Sequence, residues 1–167
     1  MFRKLLWTTL LITLPLVGVF AQPKTDYSGT WKLNVAKSDF GPLPGPDSRT
    51  DVITHKDPSL SNHVTAEGAQ GKQEFTFKFT TDGKEAVNTV GPREIKSTVK
   101  WSGSNLVINS KFVSNGSDVL SEATWVLSSD GKTLTVSTHF TSSLGEADQK
   151  FVFEKQEAAA APAKATP

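Results

Sequence analysis

Residues 73–80 read Gln-Glu-Phe-Thr-Phe-Lys-Phe-Thr. Phe75, Phe77 and Phe79 fall on one side of an extended chain, and Glu74, Thr76 and Lys78 fall on the other. Side chains alternate faces with a period of two only in a strand, so this stretch is a half-buried β-strand. The pattern returns downstream. Ile95, Ser97, Val99 and Trp101 oppose Glu94, Lys96, Thr98 and Lys100, and Leu106, Ile108, Ser110 and Phe112 oppose Asn109 and Lys111. Ala123, Trp125 and Leu127 follow, then Leu134, Val136, Thr138 and Phe140, and lastly Phe151 and Phe153. Turn-forming pairs separate these runs: Asp82-Gly83, Gly91-Pro92, Ser102-Gly103, Asn115-Gly116, Asp130-Gly131 and Leu144-Gly145. Strand, tight turn, strand is the rhythm of an antiparallel meander.

Upstream the pattern is less regular. Residues 29–34, 48–56 and 60–67 read as three more strands, the last two separated by Asp57-Pro58. Val52 and Ile53 are adjacent, which leaves the inward face of 48–56 undecided. Residues 35–40 offer at most one turn of helix, with Asn34 as a cap and Gly41 as a stop. The fold class is therefore all-β: an antiparallel up-and-down meander of about ten strands. Closing into a barrel hides the edges of such a sheet, and a β-sandwich is the alternative. The proline-rich run 41–46 is neither helix nor central strand, and reads as a stiff crossover loop or a lid over a barrel mouth.

The two ends of the chain lie outside this pattern. Arg3 and Lys4 precede an apolar run that closes in Val19-Phe20-Ala21, the order of a secretory signal peptide. The expected organisation is a leader over 1–21, a barrel domain over 22–156 and a disordered Ala/Pro-rich tail over 157–167. Losing Arg3 and Lys4 lowers the basic count from 18 to 16 against 17 acids, a net charge of −1. A neutral surface lacks the basic footprint of a nucleic-acid partner, and no segment past the leader is apolar enough for stable membrane insertion. The chain has no cysteine, so disulfides, thiolate metal sites and cysteine nucleophiles are excluded.

Residues 26–33, Asp-Tyr-Ser-Gly-Thr-Trp-Lys-Leu, carry the most specific motif. They resemble the G-x-W start of the calycins, the group of lipocalins and fatty-acid-binding proteins. Phe151-Val152-Phe153-Glu154-Lys155 is similar to the closing strand of the fatty-acid-binding branch. The resemblance implies a barrel around a small apolar ligand. It also implies two interior residues on the last strand, an arginine and a tyrosine, whose positions here hold Phe151 and Phe153. Arg49 and Arg93 are the other arginines of the mature chain and neither is on a late strand, so the carboxylate grip of that branch is not expected. In lipocalins a late arginine packs on the G-x-W tryptophan; Lys150 or Lys155 would stand in. The residues between the first two strands are too few for the two helices of the intracellular family.

Constellations for catalysis are not evident. His55 and His63 lie across a short turn and would be near enough to meet, but without a metal-binding spacing. The strand acids that can be placed, Glu74, Glu94 and Glu154, fall on the polar face, and no serine sits in a G-x-S-x-G elbow. Asn115-Gly116-Ser117 matches a glycosylation sequon but reads as a hairpin turn. The expectation is a secreted, non-enzymatic protein without cofactor or metal that binds a small apolar or amphipathic ligand. Its candidate lining is Phe75, Phe77, Phe79, Ser97, Trp101, Ser110, Phe112, Trp125, Thr138 and Phe140. Small hydroxyls among inward aromatics are unusual in a dry core. The alternative is an interaction module whose aromatics simply fill the core.

Overall fold

A computed structural model describes residues 24–157. The leader and the tail beyond residue 157 lie outside the described residues. Ten strands follow one another: β1 (Gly29–Leu33), β2 (Ser48–Lys56), β3 (Ser59–Gly68), β4 (Gly71–Thr80), β5 (Asp82–Val90), β6 (Arg93–Ser102), β7 (Asn105–Ser114), β8 (Ser117–Leu127), β9 (Thr133–Ser142) and β10 (Gly145–Gln156). They form one antiparallel sheet in the order β4-β3-β2-β1-β10-β9-β8-β7-β6-β5. Pairing of β1 with β10 joins the two ends of the meander, with Trp31 opposite Lys155 and Leu33 opposite Phe153. The result is a nearly closed barrel, not a sandwich.

Local chemistry sets the turns. Asn115 and Gly116 both have positive φ, 51° and 76°, the two-residue turn whose twist matches that of the flanking strands. Asn34 caps a single 3-10 turn at Val35–Lys37 by accepting from the Lys37 N–H, and nothing longer follows. The expected hairpin at residues 81–84 does not form. Asp82 and Gly83 instead open β5, the register shifts between Asp82 and Glu85, and β4 has no hydrogen-bonded ladder to β5. The gap between these strands is bracketed by one side chain. Asn88 Oδ1 accepts from the Lys78 N–H at 2.7 Å and its Nδ2 donates to the Lys78 carbonyl at 3.0 Å.

The two ends of the barrel differ. One end is closed by the segment before β1. Tyr27 is fully buried, its hydroxyl donating to the Trp125 carbonyl at 2.9 Å. Burial pushes its pKa up to about 12. Trp31 is equally buried and donates from Nε1 to the Tyr27 carbonyl. The Lys155 ammonium sits 5.2 Å from the Trp31 ring, the cation contact that the resemblance assigned to Lys150 or Lys155. The main chain of Lys150 instead forms a β-bridge with that of Asp39. Asp57 ties the closed end together, accepting from Lys24, Thr81 and Trp101 Nε1. The Lys24 hydrogen bond, with those of Thr81 and Trp101, holds the Asp57 carboxyl at about 2. The opposite end carries the proline-rich run. There Phe40 packs edge-on against Phe151, and an added Cβ on Gly45 would stand 2.1 Å from the Phe40 ring. The main chain of this segment bonds from Asp47 N–H to the Glu67 carbonyl.

Candidate functional site

Inside the barrel is a cavity of about 240 Å³. Eight of the ten strands, all but β1 and β5, contribute residues to its lining, because alternation turns one set of side chains on each of them inward. Eight of the ten candidate residues line it: Phe77, Phe79, Ser97, Ser110, Phe112, Trp125, Thr138 and Phe140. Phe75 and Trp101 are not among its lining residues. Phe75 lies further along β4 toward the proline-rich end, edge-on to Phe77 at 5.4 Å. Trp101 belongs to the closed end, packed against Tyr27 and His55 and hydrogen-bonded to Asp57. Two of the three serines of the lining bond to each other, Ser97 Oγ to Ser110 Oγ at 2.8 Å. Each hydroxyl thereby satisfies part of its own burial cost, since an unpaired one would be penalised.

The cavity also holds a charged cluster that the sequence pattern did not reveal. Arg49 Nε donates to Asp51 Oδ1 at 2.7 Å and Arg49 Nη2 donates to Asp51 Oδ2 at 2.8 Å. Asn62 Nδ2 donates to the same Asp51 Oδ2 at 2.7 Å. Asp51 and Asn62 are 3% and 2% exposed, and all three residues line the cavity. A forked arginine–carboxylate pair with a third hydrogen bond is the geometry that makes a buried ion pair tolerable. The guanidinium carbon lies 5.4 Å from the Phe151 ring and 5.4 Å from the Phe153 ring. An arginine therefore reaches the last strand after all, but from β2. Asp51 is thus an inward acid on the one strand whose inward face the sequence left undecided.

The signal for this cluster was present in β3. Leu60, Asn62, Val64 and Ala66 keep one parity, and pairing β2 to β3 places Arg49, Asp51, Ile53 and His55 opposite them. Val52 is then outward, 43% exposed. The same parity separates the two histidines. His55 faces inward with a side chain 3% exposed, while His63 on the outer face bonds Thr76 and Glu74, so they do not meet.

No family model matches this chain, and no curated protein matches it. Solved structures do. Secretory abundant heat soluble protein 4 from Ramazzottius varieornatus is 16% identical, with 81% of this chain and 99% of that chain covered and a TM-score of 0.56. The zebrafish ileal bile acid-binding protein, complexed with cholic acid, is 21% identical, with 78% and 98% covered and a TM-score of 0.55. Identities this low speak for the fold alone, the nearly closed antiparallel β-barrel.

Proposed function

We propose that this chain is a non-enzymatic binding protein that takes a small apolar or amphipathic molecule into its barrel. The cavity of about 240 Å³ carries the reading. Its wall is mainly aromatic and aliphatic with a few polar groups, the usual make-up of a small-molecule site. The cavity weighs against an interaction module with a filled core. That the zebrafish neighbour was solved with cholic acid supports a barrel of this shape taking a guest. Size restricts the guest. About 240 Å³ lies below the ~300–1,000 Å³ of usual ligand pockets, which favours a compact or medium-chain guest over a long lipid. Export rests on the basic, apolar, small-residue order of residues 1–21, and N-terminal sequencing of host-made protein should begin at Gln22.

Trp125 and Ala123 line the cavity, which gives a direct test. Naphthalene should quench tryptophan emission of the wild type saturably. Ala123→Phe, which fills the space, should weaken that uptake at least tenfold while leaving the thermal midpoint within a few degrees. Quenching that is absent in the wild type, together with no small molecule retained in native mass spectra of host-made protein, overturns the reading.

A further inference from the structure

The cluster of Arg49, Asp51 and Asn62 decides what kind of polar group a guest can carry. In Asp51 both carboxylate oxygens are engaged, Oδ1 by Arg49 and Oδ2 by Arg49 and Asn62. The guanidinium charge is therefore already matched, and the cluster is neutral as a unit. Two hydrogen-bonding capacities remain. Among the described residues no acceptor is paired with Arg49 Nη1. Asn62 Oδ1 is buried and has no partner, in a residue 2% exposed that lines the cavity. Spare guanidinium N–H groups of Arg49 and one spare acceptor on Asn62 thus belong to residues of the same wall.

Resting on the reading that the cavity takes a guest, we propose that its polar anchor selects an uncharged hydroxyl-bearing head group and disfavours carboxylates and ammonium groups. A hydroxyl both donates and accepts, so it can use Arg49 Nη1 and Asn62 Oδ1 together. A carboxylate only accepts. It would leave Asn62 Oδ1 unpaired, stand beside the Asp51 carboxylate, and enter a desolvated space with no net charge to offset its own. An ammonium only donates: it could use Asn62 Oδ1, but it would leave the spare Arg49 N–H groups unused and bring a second positive charge beside the guanidinium in a desolvated space. The Phe151 and Phe153 rings hold the guanidinium from its other contacts, so it is not free to swing toward an anion without losing them. The guest is then a medium-chain or compact cyclic alcohol.

Octan-1-ol, octanoate and octylammonium each carry eight carbons in one unbranched chain and differ in the head, and all are medium-chain molecules of the class the cavity favours. Titration of each into the wild-type protein at pH 7.5, read by calorimetry, should give octan-1-ol at least tenfold tighter than either ion. Asp51→Asn removes the matching charge and leaves Arg49 unpaired. In that variant octanoate should gain at least tenfold relative to octan-1-ol. Octanoate equal to or tighter than octan-1-ol in the wild type overturns the inference while leaving guest binding intact, and this comparison needs no variant to fold. Octan-1-ol and naphthalene both failing to bind overturns the underlying reading instead. If Asp51→Asn is unfolded by circular dichroism, Asn62→Leu supplies the second arm: it should weaken octan-1-ol at least fivefold relative to naphthalene, and an equal change for both overturns the anchor.

Discussion

Gly29 shows how one residue constrains the closed end. Its φ is +141°, and a Cβ placed there would come 2.7 Å from Lys155 Cε. Lys155 is held where it is by its contact with Trp31, and Trp31 by its bond to Tyr27. Glycine is required on two counts, backbone conformation and space. Gly29→Ala should therefore lower stability by ~1–3 kcal/mol, visible as a fall of several degrees in the thermal midpoint. A midpoint unchanged within a degree would show that β1 relaxes around the added carbon. This part of the molecule was readable in advance because G-x-W is local, and because a cation late in the chain has few candidates. Arg49 was not readable in the same way. In β2, Val52 and Ile53 are apolar on both parities, so nothing inside the strand says which set turns inward, and only its pairing with β3 decides.

At the level of elements, the β4–β5 junction departs most from expectation. Asp82-Gly83 has the composition of a hairpin turn, and Asp82 does bond locally, accepting from the Lys84 N–H and pairing with the Lys84 ammonium. Local turn chemistry is thus satisfied without joining the two strands. What joins them is Asn88, a residue 6% exposed whose amide replaces one rung of the missing ladder. Its role depends on a strand ten residues earlier, which no short-range pattern encodes. Asn88→Leu would strand the Lys78 N–H and carbonyl and should cost ~1–3 kcal/mol. Hydrogen exchange at the Lys78 amide should accelerate while amides of the β7–β8 hairpin keep their protection. Uniform acceleration across the barrel would mean that the bracket has no local role. By contrast, the meander itself was legible, because alternation and turn spacing repeat often enough to fix the order of strands.

For the molecule as a whole, the closed end also sets a dependence on pH. His55 is packed against Tyr27 and Trp101, its Nδ1 accepting from the Tyr27 N–H and its Nε2 without a partner. Burial lowers its pKa below the ordinary 6.5, and outweighs the opposing attraction of Asp26 and Asp57; Lys24 adds to the lowering. The unfolded chain therefore binds this proton more readily than the folded one. Stability from this source is complete above about pH 6.5 and is lost as pH falls from there toward the folded-state value. His139, raised by its hydrogen bond to Asp148, acts in the opposite sense, losing stability as pH rises past the unfolded value. His55→Gln isolates the first effect. Between pH 7 and 5 the wild type should lose more of its thermal midpoint than the variant, and parallel profiles would remove His55 from the account. Whether the barrel contains space was the least legible property of all. The same inward aromatics would either fill or surround a cavity, and the difference depends on the sum of ten strands' side-chain volumes.

Lys24 to Ser28 and the end of β10 lie at the same end of the barrel, with Thr30 paired to Gln156 and Lys24 bonded to Asp57. The described chain therefore enters at Lys24 and leaves at Glu157 from the sealed pole, opposite the proline-rich rim. A fluorophore or surface linkage fused directly before Lys24 or after Glu157 would leave the proline-rich rim facing the solution, so the folded domain can be immobilised from either side of its seam without covering that rim.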